Sequence, residues 1–185
     1  MLRLPESPTR QEVLRFISDS ASYGNLGAFI GAGFSKAVLN DEFNEIALSW
    51  GELLEKASGK LGVDYNAIRK TGVGYPEIAS SICKLHAEHT KCDYTQSLST
   101  LKREIAALTS WYHDKEKREE FSTYLENLSP SWIITTNYDM VIESLLTGRS
   151  IPLGPNDSLS SPIGVIPVFH LHGLRTNPEE IIISQ

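Results

Sequence analysis

The chain contains 185 residues, which is enough for one domain with a buried core that needs neither disulfides nor a structural metal. Its net charge of -6 and pI near 5.4 disfavour direct binding to nucleic acid or anionic lipid, which normally depends on a basic surface. Two cysteines, Cys83 and Cys92, are too few for a disulfide framework, and residues 1–10 lack the apolar stretch of a secretory signal. Because no apolar run is long enough to cross a membrane, we predict a cytoplasmic protein without a membrane span.

The first predicted elements are a helix and a buried strand. Ser7 and Pro8 favour a helix start, and apolar residues then recur at helical spacing until Gly24. The apolar run at residues 26–30 indicates a short strand that leads directly into the small residues at 31–35. A strand, a glycine loop and a helix are therefore expected in that order.

The loop at residues 31–35 has the composition of a phosphate cradle. Small residues let the backbone approach a pyrophosphate, and the following helix directs its N-terminal amides and positive dipole end at the anion. Lys36 stands where the dinucleotide fingerprint would have its third glycine, and no Gly-Lys-Ser/Thr follows. An ordinary glycine turn between strand and helix remains the alternative.

From about residue 49 to residue 128 the pattern is helical and predicts no strand. Four helices are expected, around residues 50–61, 75–89, 95–109 and 115–128. Two cysteines and two histidines recur there at every third residue: Cys83, His86, His89 and Cys92. On a helix, each step of three rotates the side chain by about -60°, so the first and the last lie on opposite faces. We therefore expect no zinc site.

The alternation of strands and helices resumes after this insertion. Residues 131–135 and 165–171 are predicted strands, a helix over 139–146 lies between them, and 180–184 is predicted as a further strand. The sequence thus predicts an α/β fold with a Rossmann-like parallel sheet and helices on both faces. It forms one domain over 1–185, with a helical insertion lobe over about 49–128. Because the chain stops directly after a strand-like segment, the last units of the sheet are expected beyond residue 185.

Polar residues follow the strand at 131–135, at the carboxyl edge where open parallel sheets bind ligands. Thr136, Asn137 and Asp139 are the candidates at this position. The alternative is that Asn137 or Asp139 simply caps the next helix, which is a common role for these residue types.

Two histidines close the strand at 165–171. Strand alternation places His170 and His172 on one face, and Gly173 leaves room beside them. Histidine is the natural general base near neutral pH. His172, which is nearer the sheet edge, is the candidate base, and His170 is the candidate for a hydrogen-bonded structural role.

Taken in order, the three segments resemble the signature of the sirtuin superfamily, which is a Gly-Ala-Gly-x-Ser loop, a Thr-x-Asn-x-Asp stretch and a His-Gly pair. They stand here at residues 31–35, 135–139 and 172–173. The resemblance implies an NAD-binding protein. Its pyrophosphate and ribose contacts would lie on the loop residues Gly31, Ala32, Gly33, Phe34 and Ser35.

The same resemblance implies roles for the later segments. Asn137, beside Thr136, would position the nicotinamide-side ribose or the attacking water. Asp139 would meet the nicotinamide carboxamide, and His172 would act as the base.

One departure from the sirtuin pattern narrows the resemblance. Sirtuin deacylases hold a structural zinc with two Cys-x-x-Cys pairs, and this sequence contains none. A helical block in place of the zinc lobe, together with Trp-Gly-Glu-Leu-Leu at residues 50–54, resembles the sirtuin-like NAD-hydrolysing effector domains of bacterial anti-phage defence systems. NAD is therefore expected as a substrate, with no zinc.

The leading hypothesis is an NAD glycohydrolase that releases nicotinamide and ADP-ribose as an abortive-infection effector, with Asn137 and His172 at its reactive centre. The alternatives are a module that senses NAD or an ADP-ribose-like ligand and regulates a partner, and, less favoured, a protein deacylase. The resemblance also implies a homo-oligomer or a partner ATPase or nuclease, or a missing C-terminal segment. Trp50 and Trp111 are candidates for subunit contacts, although aromatic residues in such a lobe are more often core.

Overall fold

A computed structural model describes residues 6–69 and 73–183, and these contain a parallel β-sheet joined to a lobe of helices. The strands are β1 (Gly27–Ile30), β2 (Trp132–Thr135), β3 (Ser150–Leu153) and β4 (Ile166–His170). The helices are α1 (Arg10–Ser22), α2 (Ala32–Leu39), α3 (Trp50–Lys60), α4 (Tyr65–Ile68), α5 (Tyr75–Thr90), α6 (Tyr94–Leu108), α7 (Lys115–Leu128) and α8 (Val141–Leu145). A short 3₁₀ turn at Pro178–Glu180 follows.

The four strands are all parallel and lie in the order β1-β2-β4-β3. This arrangement confirms the predicted α/β fold with a Rossmann-like sheet. The register aligns Ala28 with Ile133 and Ile133 with Val168, so these apolar side chains form one row on one face of the sheet. Apolar residues of α2, α7 and α8 pack on this row and complete the core of the sheet.

The opposite face of the sheet is more open. Phe29 and Trp132 lie on this face, with 69% and 41% of their surface exposed. The Trp132 ring lies directly over Gly27, where a Cβ atom would approach the ring to 2.0 Å. Glycine at this strand position therefore allows the indole to cover part of the open face.

Helices α3, α4, α5 and α6 of the insertion form a second core. Helix α7, which was predicted as part of the same lobe, packs on the core of the sheet instead. Its centre contains Leu54, Ile82, Leu101 and Ile105, which are all at least 99% buried. Ser49 begins α3 with a capping box in which Glu52 bonds back to the Ser49 amide. No strand lies between residues 49 and 128 in the described part of the chain.

The predicted strand at 180–184 is wrong over its described residues, because residues 181–183 pair with no strand. Ile181 and Ile183 are buried in the core of the helical lobe instead, while Ile182 between them is exposed. The alternation of buried and exposed residues therefore comes from an extended segment that packs on helices and not from a strand of the sheet. The hydroxyl of Ser99 and the guanidinium of Arg103, both on α6, bond the Glu179 carboxylate and hold this segment in place.

Smaller differences concern β3 and the first helix. The edge strand β3 lies in a segment for which no strand was predicted. Its four residues and Pro152 give only a weak strand signal. Helix α1 begins at Arg10 with Thr9 as its cap, two residues beyond the predicted start. Within the described residues, no helix combines the length and apolar content needed to cross a membrane.

Candidate active site

Three segments of the chain meet at the carboxyl edge of the sheet. The register places Ile30, Thr135 and His170 side by side at the ends of their strands. The residues that directly follow these strand ends therefore emerge at one edge, although they lie up to 140 residues apart in sequence. All three of the sequence motifs begin there.

The first two motifs are joined by a buried polar network of Ser35, Asn137 and Asp139. The Ser35 hydroxyl donates to Asp139 Oδ2 at 2.9 Å, and Asn137 Nδ2 donates to Ser35 Oγ at 2.9 Å. All three residues are buried. The serine of the glycine loop thus fixes the orientation of both the amide and the carboxyl group.

Asp139 has two roles in this network. Its Oδ1 atom accepts at 3.0 Å from the amide of Val141, the first residue of α8, so Asp139 satisfies one free amide at the helix start although Met140 is the cap residue. Its other oxygen accepts from Ser35. Burial raises the pKa of the Asp139 carboxyl above its ordinary value, and the hydrogen bonds from Val141 and Ser35 oppose that rise. Asn137 is not the cap residue of α8 either, and its side-chain nitrogen Nδ2 donates to Ser35.

The glycine loop leaves open space in front of its backbone. Gly31 precedes α2 in an extended conformation, and a Cβ atom added at Gly31 or Gly33 would meet no atom within 4 Å. This space, together with the N-terminus of α2, suits the approach of a phosphate group. The Phe34 ring packs edge-on against Phe121 of α7, with the ring centroids 5.8 Å apart. Only the backbone of Phe34 is therefore free to contact a ligand at the loop.

His172 lies in a different environment from the polar network. Since β4 ends at His170, His172 belongs to the turn beyond the strand, and the expected strand alternation of the two histidines is wrong. Its ring packs edge-on against Trp50, with the ring centroids 5.9 Å apart, and its centroid lies 6.3 Å from that of Tyr138. Within residues 6–69 and 73–183, the Nδ1 atom of His172 is buried and has no hydrogen-bond partner. A substrate or a water molecule could satisfy this nitrogen, but only after the side chains that bury it have moved.

The backbone of His172 is held by the extended segment after the 3₁₀ turn. The Ile182 amide donates to the His172 carbonyl at 2.8 Å, and the Tyr138 hydroxyl donates to the Ile182 carbonyl at 2.9 Å. Gly173 has a φ of +88°, and a Cβ atom there would lie 2.6 Å from the Glu180 carbonyl oxygen. Only glycine allows this approach without displacing the turn that carries His172.

His170 occupies the interior position that was predicted for a hydrogen-bonded histidine. Its Nδ1 atom lies 2.8 Å from the Asn137 carbonyl oxygen, and its Nε2 atom lies 2.8 Å from Glu143 Oε1. Burial alone would lower the pKa of His170, but the Glu143 carboxylate and the Asn137 carbonyl outweigh it and raise the pKa above its ordinary value. Glu143 was missed by the sequence analysis, although a lone carboxylate in the apolar helix α8 was a usable signal.

A narrow cleft connects the polar network with the aromatic side chains. The cleft is lined by Ala32 of the loop, by Trp50 and Trp111, and by residues 136–139. Its free volume is about 30 Å³, which is room for one water molecule. A dinucleotide therefore enters this cleft only if the surrounding segments move apart.

The four cysteine and histidine residues of the helical lobe do not converge. Cys83 is buried in the lobe core, and burial raises the pKa of its thiol to about 11. His86 bonds the Ser97 hydroxyl at 2.8 Å, and Cys92 lies beyond the end of α5. In the described ranges, no group of three or more histidine, cysteine, aspartate or glutamate residues could hold a metal ion.

The fold and this edge define an α/β protein with a candidate ligand site at the carboxyl ends of parallel strands. A family model described as the SIR2-like domain matches residues 131–185, which include β2, the Asn137 segment and the His172 turn. The match supports a relationship to the sirtuin-like superfamily, whose members are generally NAD-dependent enzymes. No curated protein matches the chain.

Proposed function

We propose that the protein is an NAD glycohydrolase that cleaves NAD into nicotinamide and ADP-ribose. One observation carries this proposal: Ser35, Asn137 and Asp139 meet through hydrogen bonds at the sheet edge where His172 has a buried nitrogen without a partner among the described residues. A nucleophile-activating base and orienting polar groups at one edge are the parts that a hydrolytic step needs. The SIR2-like match supplies the expectation that the substrate is NAD.

The proposed reaction breaks the bond between ribose C1′ and the nicotinamide nitrogen, and the bonding electrons leave with nicotinamide. A water oxygen then bonds C1′ as its proton passes to His172. Asn137 would orient this water or the ribose, and Asp139 would meet the nicotinamide carboxamide. The open backbone at Gly31, Ala32 and Gly33 would receive the pyrophosphate.

Ser35 and Thr136 would contribute to the ribose contacts, together with the backbone of Phe34. Ser35 already donates to Asp139, so a ribose hydroxyl would enter an existing hydrogen-bond network rather than build a new one. Thr136 lines the cleft beside Asn137.

A sensor of NAD or of an ADP-ribose-like ligand is the second candidate, and the small cleft, of about 30 Å³, would give such a sensor a change of conformation on binding. In a sensor, ligand binding would widen the cleft, and the displaced helices would signal to a partner protein. Protein deacylation is less favoured, because the sequence lacks the paired cysteines of the zinc-containing deacylases.

The proposed biological setting rests on the resemblance to defence effectors. We propose a cytoplasmic enzyme that depletes NAD during phage infection, as a homo-oligomer or beside an ATPase, a nuclease or a further C-terminal segment. Nicotinamide release in infected cells, measured with and without the genomic neighbours, would test this setting separately from the chemistry.

The chemistry is tested by incubating the purified protein with NAD and following nicotinamide and ADP-ribose by chromatography. Equal release of both products supports the hydrolase. NAD binding without release supports the sensor, and nicotinamide release that requires an acyl-lysine peptide supports the deacylase. Failure to bind NAD would contradict the hydrolase and the deacylase, and failure to bind both NAD and ADP-ribose would contradict the sensor as well.

A further inference from the structure

We propose that Glu143 and His170 share one proton and act as positioning residues that hold Asn137 in its productive orientation. The inference deepens the proposed function and rests on it for its catalytic meaning. Neither residue belongs to the sirtuin-like motifs, and neither lines the cleft. Their effect on the reaction would therefore be exerted through the backbone of Asn137.

The hydrogen-bond geometry fixes where the proton must lie. A carbonyl oxygen can only accept, so the contact of 2.8 Å with the Asn137 carbonyl requires a hydrogen on His170 Nδ1. The Nε2 atom lies 2.8 Å from Glu143 Oε1, and this contact also needs a hydrogen between the two atoms. The pair is therefore either an imidazolium with a carboxylate or a neutral imidazole with a carboxylic acid. Both forms contain the same single shared proton.

Burial makes this proton necessary for the contact. The His170 side chain is fully buried and that of Glu143 is 10% exposed. The second carboxyl oxygen, Glu143 Oε2, is buried without a hydrogen-bond partner in the described part of the chain. If the proton leaves, a carboxylate faces the lone pair of Nε2 with little water to screen it, and the contact becomes repulsive.

Asn137 is held at three points, and His170 provides one of them. Its backbone nitrogen donates to Thr135 Oγ1 at 3.1 Å, and its side-chain nitrogen donates to Ser35 Oγ at 2.9 Å. Its carbonyl oxygen accepts from His170. Loss of the Glu143 contact frees the imidazole to rotate. The carbonyl of Asn137 then loses its fixed donor, and the side chain loses the backbone orientation that aims it.

Besides this pair, Asp139 is a titratable group next to Asn137, because it bonds Ser35, the partner of the Asn137 side chain. Asp139 is the second carboxylate that faces His170. The neighbouring strands β2 and β3 contain no titratable side chain, and Glu143 is the one titratable residue in α8. Lys36 of α2 is directed away, to Glu45 and Glu52. Since the pKa of His170 is raised, the shared proton is present below the ordinary value of 6.5 and is lost as pH rises through the folded-state pKa.

The test compares the pH profiles of NAD cleavage by the wild-type protein, Glu143→Gln and the control Glu88→Gln, whose residue is exposed on α5. The side-chain amide introduced by Glu143→Gln can donate to Nε2 of a neutral His170, so the variant keeps the contact without a proton that can be lost. We expect kcat of wild type and E88Q to fall about tenfold on the alkaline side, where His170 loses its proton. In E143Q this fall should be absent, with KM unchanged. An alkaline fall that is identical in all three proteins would overturn the proposal.

A second measurement does not depend on catalysis. The titration of the His170 ring is followed by NMR in the wild-type protein and in E143Q. A His170 that titrates above its ordinary value in wild type, and stays neutral over the same range in E143Q, supports the shared proton. The same titration in both proteins contradicts it. If wild type cleaves no NAD, the proposed function fails while this measurement still decides whether the proton is shared.

Discussion

The two histidines of the candidate site lie two residues apart and have opposite surroundings. His170 is buried inside the sheet, and both of its ring nitrogens have partners. His172 lies in the turn beyond the strand, against aromatic rings, with a buried nitrogen that has no partner among the described residues. Position relative to the strand end, rather than residue type, therefore separates a positioning histidine from a candidate base. Stability should depend mainly on His170, and turnover mainly on His172.

The largest expected change in stability comes from His170→Leu. The substitution leaves the buried Glu143 carboxyl without its partner, which should lower the free energy of unfolding by about 3–5 kcal/mol. Chemical denaturation measures this loss. The double variant H170L/E143L removes both polar groups and should recover most of the lost stability. A single variant as stable as wild type would show that the Glu143–His170 contact contributes nothing to folding.

Asn137→Ala should have the next largest effect, and mainly on turnover. Removing the amide that orients water or ribose should lower kcat/KM for NAD by about 100-fold, which corresponds to about 2.7 kcal/mol. The fall in kcat/KM is measured by following nicotinamide release. The matched control is Asn66→Ala, at an exposed position of the helical lobe, which should leave turnover unchanged. Near-native release by N137A would remove Asn137 from the reactive centre.

Gly173→Ala tests how firmly the His172 turn is held. The added methyl group would clash with the Glu180 carbonyl at a positive φ, and we expect a loss of about 1–3 kcal/mol in stability together with lower NAD turnover. Gly148→Ala is the control, since Gly148 also has a positive φ but has no atom within 4 Å of an added Cβ. Equal losses of turnover in both variants would mean that the close approach at Gly173 does not position His172.

The smallest expected effect is the pH dependence of stability. Because the pKa of His170 is raised in the folded protein, its stabilising contribution is complete below pH 6.5 and is lost as pH rises through the folded-state pKa. Between slightly acidic and alkaline pH, the free energy of unfolding of the wild type should therefore fall by on the order of 1 kcal/mol more than that of Glu143→Gln. Urea denaturation at the two pH values measures the difference. A constant difference between the two proteins would argue against the shared proton.

Much of the fold could be predicted, because periodicity is a local property. The strands β1, β2 and β4 and the helices α3, α5, α6 and α7 lie within one or two residues of their predicted bounds. The short strand β3 and the extended segment at 181–183 could not be assigned, because pairing with a strand or packing on helices is decided by distant residues.

For the site, the sequence identified the segments of Ser35, Asn137 and His172 but not their contacts. The hydrogen bond between Ser35 and Asn137 spans 102 positions, and the packing of Trp50 on His172 depends on how the helical lobe joins the sheet edge. Glu143 was missed because its significance lies in the histidine that it contacts, 27 positions further along the chain.

The most direct test of NAD hydrolysis at this edge is nicotinamide release by the wild-type protein and His172→Ala, measured at saturating NAD with the stability of both proteins determined in the same buffer. We expect release by wild type and a loss of at least about 100-fold in the variant. The free energy of unfolding should fall by only about 1–2 kcal/mol, because the His172 ring gives up no hydrogen bond within the described residues and loses only its contacts with Trp50 and Tyr138. Release by H172A at the wild-type rate would contradict the assignment of His172 as the base.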